Sequence, residues 1–286
     1  MVALTKRNLL LYFRNRSGVF FSLLGAVISF VLYIVFLKKS MVTSWQKVPY
    51  SQQLLDFWLI GGTLSVTAIT TTLTSLGQLV QDKERKVIQD FYLTDLSRFE
   101  MKMSYMCSAA LIGFFMQLVM LFSMLIYFSL ADRLIIPWSS MPAIICLALF
   151  SSLLAVVMHM LLVQFINRVN SLGTLGTIIG TAAGFLVGAY IPLGILPNFA
   201  QWLIKLTPGA YVAALYRQIL MGDQLNIAFH GQPKPFEKIM GIRLAWHYLL
   251  TRNQTIGFLV LIFLLGLLAL LTIELVRSKK RVKTTL

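Results

Sequence analysis

The sequence predicts an all-α fold: a polytopic membrane protein with six transmembrane helices, an N-terminal amphipathic interfacial helix and a re-entrant hairpin between spans five and six. Three observations predict it. The 286 residues are 58% hydrophobic and 12% charged, about half the charge density of a soluble domain. Several charge-free runs are long enough to cross a hydrocarbon layer about 30 Å thick. In residues 171–222 a glycine-ridged apolar run gives way to a stretch punctuated by Pro192, Pro197 and Pro208, and proline interrupts a helix by removing a donor and fixing φ. The formal charge of +15 lies in short loops and tails with no sustained basic face. It therefore reads as membrane orientation, with no nucleic-acid partner.

The elements follow in order. Within residues 1–17, a helix over 2–16 places Val2, Leu9 and Phe13 on one side and Lys6, Arg7 and Arg14 on the adjoining one. Such a helix lies at a membrane surface, held by apolar burial and by anionic lipid. The apolar run after it has no small-residue cleavage site, so the first span, 18–37, is expected to be retained. Lys38, Lys39, Trp45, Lys47, Pro49 and Tyr50 then suit a far-side headgroup region. Span two, 57–80, carries Thr63, Thr67, Thr70, Thr71, Thr72 and Thr74. Their hydroxyls either line a substrate path or bond within and between helices, and packing is the expected role.

Residues 81–100 are the most charged segment. On a helical projection Val87, Ile88 and Phe91 form an apolar patch surrounded by Lys83, Glu84, Arg85, Lys86 and Asp90, which predicts a short surface helix with an exposed docking patch. Ser97 with Glu100 makes a capping box, so the next helix starts near Arg98 and carries span three at 103–130. Asp132 and Arg133 mark a turn before span four, 141–165, which Pro142 opens. His159 in that span has no acidic partner in sequence, which favours neutral packing over a proton relay. Cys107 and Cys146 sit in apolar runs and are expected to be buried thiols.

Span five, 171–190, places Gly176, Gly180, Gly184 and Gly188 at every fourth residue, with Gly173 one turn earlier. In a helix these form a bare ridge for close approach of a neighbour, within the protomer or at a subunit seam. In the broken element, 191–222, Thr207 is placed to cap a second helical run that begins at Pro208. Residues 223–255 read as a far-side extension with one short helix near 236–250, and its His230 and His247 lack the companions of a metal site. Span six, 256–273, ends in Glu274 and a basic tail.

Sections 1–17, 81–102, Arg168 and 277–286 hold 15 of the 25 Lys and Arg residues. Basic residues beside span ends set orientation, so these sections and both termini are expected in the cytoplasm. There is no phosphate-cradling glycine-rich lysine loop, no HExxH, no serine elbow and no paired membrane carboxylates. Asp56 and Glu274 lie near span ends, where an ionised group is expected to reach water. The chain therefore does not read as an enzyme or an ion-driven pump, and no cofactor or metal of its own is expected.

Three stretches carry a family resemblance: LTKRNLLLYFRNRSGVFFSLL, DKERKVIQDFYLTDLSR and IPLGILPNFAQWLIKLTPGAYVAALYRQILMG. In this order, across nearly the whole chain, they resemble the permeases of the ABC-2 type transporter family, the transmembrane half of bacterial ATP-driven exporters. The resemblance implies a single ABC-2 type domain over 1–286, with Lys6, Arg7 and Arg14 in the surface helix. It places Lys83, Glu84, Arg85, Val87, Ile88, Phe91 and Arg98 in or beside an ATPase-coupling region, and Pro192, Pro197, Pro208 and Arg217 in an outward-side re-entrant hairpin. It implies cytosolic ABC ATPase subunits that hold the ATP and Mg, a second or related permease copy, and outward movement of a drug, peptide or lipid-like substrate in the bacterial plasma membrane. An ATPase-independent channel or secondary transporter, and a lipid-linked polysaccharide exporter subunit, are the other readings. Two departures stand out: Asp95-Leu96-Ser97-Arg98 lacks the proline common before the small-residue-Arg step, and the 223–255 extension is long.

Overall fold

The computed structural model describes residues 1–46, 48–229 and 233–282, and no β-strand occurs among them. His230 and the last residues of the basic tail lie outside the described residues. Among the described residues six helices are long and apolar enough to cross a membrane: Arg16–Ser44, Ser51–Glu84, Arg98–Asp132, Trp138–Val163, Val169–Leu186 and Arg252–Val276. The chain is therefore a multi-pass, all-α membrane protein.

Helix α1 (Val2–Arg14) precedes α2 (Arg16–Leu32), which passes through a π-helical turn at Tyr33–Leu37 into α3 (Lys38–Ser44). The first helical rod thus runs well past the expected end at residue 37. Helix α4 (Ser51–Glu84) overruns its expected span at both ends and forms the axis of the bundle, packing against α2, α6 (Arg98–Asp132), α7 (Met141–Val163), α8 (Val169–Leu186) and α10 (Pro208–Ala228). Every residue from Leu54 to Ala68 is buried. Such a helix can carry Asp56, Ser65 and several threonines at membrane depth because neighbours, not lipid, cover it.

The threonines of α4 serve this packing. The hydroxyls of Thr67, Thr70, Thr71, Thr72 and Thr74 each donate to the carbonyl four residues earlier, so a polar atom in an apolar bundle is satisfied without a partner helix. Thr72 also bonds His159 Nδ1 at 3.0 Å. A Cβ on Gly113 would stand 2.5 Å from Thr72 Cγ2, so α6 and α4 touch there only because residue 113 has no side chain. Gln117 of α6 completes the buried polar set, linking Ser151 and Ser152 of α7 with the hydroxyl of Tyr216 on α10.

Helix ends follow their signals. Ser97 Oγ accepts from Glu100 N while Glu100 Oε2 accepts from Ser97 N, the expected capping box of α6. Thr251 and Gln254 make a second such box at the start of α12 (Arg252–Val282). That signal, a threonine three residues before a glutamine, was present in the sequence and escaped the reading above. The extension departs from expectation. Its helix is α11 (Lys234–Ile239), and 240–251 is irregular. Gly241 stops it, with φ of +63 and Ile242 N donating back to Glu237 O at 2.9 Å, a Schellman ending that a side chain at 241 would disfavour.

Cys146 is exposed on the outer surface of α7 and Cys107 is half-buried, so neither thiol is the core residue expected from its apolar run. The two ends of the bundle are named below by what they carry: the loop end, with α1 and α5 (Val87–Phe91), and the hairpin end, with α9 (Asn198–Lys205) and α11.

Candidate coupling site at the loop end

Asp82, on the last turn of α4, organises the loop end. Its carboxylate is buried and accepts from both Arg7 nitrogens (2.8 and 3.1 Å), from Gln78 Nε2 (2.8 Å) and from the Tyr105 hydroxyl (2.5 Å). Arg7 thereby ties α1 to α4 and α6, and the bond to Asp82 raises the guanidinium pKa above its ordinary value. Asn8 is buried beside it against Ser108, and Leu4 fills the core between. The α1 face turned to the protein is thus Leu4, Arg7 and Asn8. Val2 and Phe13 are exposed, as are Lys6 and Arg14. The expected grouping of Arg7 with the lipid-facing cations gives way because a buried carboxylate outcompetes the headgroup region for the one arginine that reaches it.

The next two residues of α4 cap neighbouring helices. Lys83 Nζ donates to the carbonyls of Val163, Gln164 and Ile166, the negative end of α7. Glu84 Oε2 accepts from Val169 N at 3.0 Å, the positive end of α8. These two were expected to ring a docking patch; they instead hold the α7–α8 turn against α4.

The expected patch is also turned inward. Ile88 is buried among Leu76, Val80 and Tyr105, Val87 is half-buried, and Phe91 lies under the Arg7 guanidinium, 5.5 Å from ring to cation. The apolar face of so short a helix is covered by its own bundle. Among the residues that the loop leaves in the open are Arg85, Lys86, Asp90, Tyr92, Leu93 at 89% exposure, and Arg98 stacked over Tyr92 at 4.9 Å. Left-handed Lys86 (φ of +62) turns the chain from α4 into α5.

At the hairpin end the decisive residue is Arg217, which is fully buried. It donates to the carbonyls of Trp58 (3.1 Å), Gly188 (2.7 Å) and Gly241 (3.3 Å) and stacks on the Trp58 ring at 4.7 Å. One side chain thus joins α10, α4, the end of α8 and the extension. Gly61 and Gly62 make the space: a Cβ on either would lie 2.9 Å from an Arg217 side-chain atom. Pro192 and Pro197 flank the 3-10 turn that leads into α9, and Pro208 opens α10. Residues Ser65 and Ile69, nearly half-way along α4, touch Gly209 at the hairpin's tip. Thr207 does not cap α10; its hydroxyl donates to Leu186 O and Ile204 O, closing the tip against the end of α8.

The glycine ridge divides. A Cβ at Gly173, Gly176 or Gly180 would meet nothing, so these face away from the protomer. Gly184 is covered by the Tyr190 ring, and Gly188 (φ of +67) lies beyond the helix, in the turn that ends it. Asp56 does not reach water: it is fully buried beside Asp132, with the Tyr33 hydroxyl at 3.0 Å and Lys38 bridging both acids. Glu274 pairs with Lys102. Sequence reasoning passed over Asp82, Tyr105, Trp58 and the Gly61-Gly62 pair. The four-residue step from Gln78 to Asp82 at a span end and the double glycine inside span two were the available signals.

A family model for ABC-2 type transporters matches residues 1–221, from α1 through the loop, five spans and the hairpin. The chain belongs to the ABC-2 type transporter family. Comparison with curated proteins gives no match, and neither does comparison with solved structures. As an ABC-2 membrane domain the chain is a permease subunit of an ABC transporter, a kind of subunit that partners ABC ATPases. The match stops at residue 221, which leaves the extension and α12 outside it.

Proposed function

We propose that this ABC-2 permease is half of the membrane pathway of an exporter driven by separate ABC ATPase subunits, which bind and hydrolyse ATP with Mg. Its loop end faces the cytoplasm of a bacterial cell, both termini included, and the hairpin end faces outward. Two copies, or this chain with a related permease, complete the pathway for an amphipathic drug, peptide or lipid-like substrate. The observation that carries the reading is the loop itself. It exposes Arg85, Tyr92, Leu93 and Arg98, while through Arg7, Asp82, Lys83 and Glu84 the adjoining end of α4 is tied to α1, α6, α7 and α8. A push on such a loop moves several packed helices as a body.

The test is co-purification with an ABC ATPase from the same cell. Leu93→Asp and Arg85→Glu, both at exposed positions, are expected to lower ATPase retention at least about tenfold, the effect of roughly 1.4 kcal/mol at an interface, with unchanged membrane insertion. Full retention by both variants would remove the loop as the docking site. Substrate movement in proteoliposomes lacking any ATPase would overturn the exporter reading itself.

A further inference from the structure

A polar cleft at the hairpin end has no role in the coupling scheme. It holds about 520 Å³ between α9 and residues 238–249 of the extension, floored by Leu193 and Gly194. Helix α9 has two unlike faces: Phe199, Trp202 and Leu206, which follows its last turn, are exposed, whereas Asn198, Gln201 and Lys205 line the cleft. Their spacing of three and four residues puts the polar set on one side. Lys238, Trp246 and His247 come from the facing wall. Trp246 is fixed there, its Nε1 donating to the Tyr211 hydroxyl at 2.9 Å, which donates in turn to Lys205 O at 2.8 Å. The Lys205 ammonium stands 5.9 Å from the Trp246 ring.

Among the described residues no carboxylate lines this cleft, and the nearest one in sequence, Glu237, is turned to Arg243 at 3.4 Å. Two ammonium groups from separate segments therefore share it without a counter-ion. Partial burial, and then the charge of Lys238, hold Lys205 below its ordinary pKa. Like charges so placed repel, and an anion between them reverses the sign of the interaction.

We infer that this cleft binds the phosphate-bearing anionic group of an amphipathic ligand. Lys205 and Lys238 supply charge, Asn198 and the one N–H that Gln201 does not give to Leu196 O supply donors, and Trp246 covers the adjoining apolar part. The exposed Phe199, Trp202 and Leu206 set α9 against hydrocarbon, so a ligand held by its headgroup keeps its tails in lipid. This deepens the lipid-like substrate class of the reading above, and the binding step itself needs no ATPase.

The test uses the full chain, purified without any ATPase, in nanodiscs containing phosphatidylcholine and phosphatidylglycerol. Native mass spectrometry measures which lipid stays bound. The wild type is expected to retain phosphatidylglycerol preferentially, less so as salt rises. Lys205→Gln with Lys238→Gln lowers that retention by roughly fivefold per lysine removed, whereas Lys→Arg at both positions keeps it. Added glycerol phosphate separates the sources. Displacement shows that the phosphate group suffices, and no displacement shows that the lipid-anchored headgroup is needed; both support the site. Equal retention by wild type and the glutamine pair, at equal unfolding temperature, overturns it, as does a wild type that holds neither probe. Because no ATPase is present, either result is independent of whether the chain exports.

Discussion

Asp82 and Arg217 meet the same problem, a charge inside an apolar bundle, in opposite ways. Asp82 has a cation and four hydrogen bonds. Arg217 has carbonyl dipoles and an aromatic face, and no carboxylate among its hydrogen-bond partners. Removing one partner from a buried pair costs more than removing both, because the survivor is left desolvated. Arg7 is one-third exposed and can turn to water, whereas Asp82 cannot. Arg7→Ala is therefore expected to destabilise the protein by about 3 kcal/mol, Asp82→Asn by less, and the double variant by less than Arg7→Ala alone. Chemical unfolding in detergent measures all three, and strict additivity would show that the pair does not act as a unit.

Among the elements, α8 and the hairpin behave unlike ordinary spans. Helix α8 stops at the level of the hairpin tip because Gly188 reverses the backbone and Tyr190 folds onto Gly184. Its remaining glycines face open space. Gly184→Ala would drive a methyl to within 2.1 Å of the Tyr190 ring, and overpacking of this kind costs about 1–3 kcal/mol. Gly176→Ala meets nothing and gains helix propensity of about 1 kcal/mol. Unfolding temperatures should accordingly fall for the first and hold or rise for the second. Gly176→Leu with Gly180→Leu asks a different question of the same helix. Unchanged monomer stability with reduced dimer yield places a second permease on the ridge, and normal dimer yield excludes it.

At the scale of the whole molecule, α4 connects the two ends. Its loop end holds α1, α6, α7 and α8 through Asp82, Lys83 and Glu84, and its other half holds α10 through Trp58, Gly61, Gly62 and Ser65. Displacement of the loop is therefore expected to reach the hairpin through this one helix. Glu84→Gln keeps size and removes the charge at the α8 N-terminus, so the assembled transporter is expected to keep its ATPase subunits and lose several-fold in transport per ATP hydrolysed. Loss of ATPase binding instead would move Glu84 to the docking surface.

The class of fold, all-α with six helices long and apolar enough to span a membrane, was legible in the chain alone because hydropathy, caps and prolines act within a few residues of where they stand. The capping box at Ser97 and the break at Pro192 were legible for that reason. Which charges face inward was settled by contacts between distant parts of the chain. Arg7 and Asp82 are 75 residues apart, and Glu84 and Val169 are 85 apart. Whether Ile88 is a docking patch or core depends on what packs over it, and whether a glycine is a contact or an open face depends on the neighbour it meets. A periodic pattern fixes the direction of a side chain relative to its own helix, and the partner in that direction is set by the packing of the other helices.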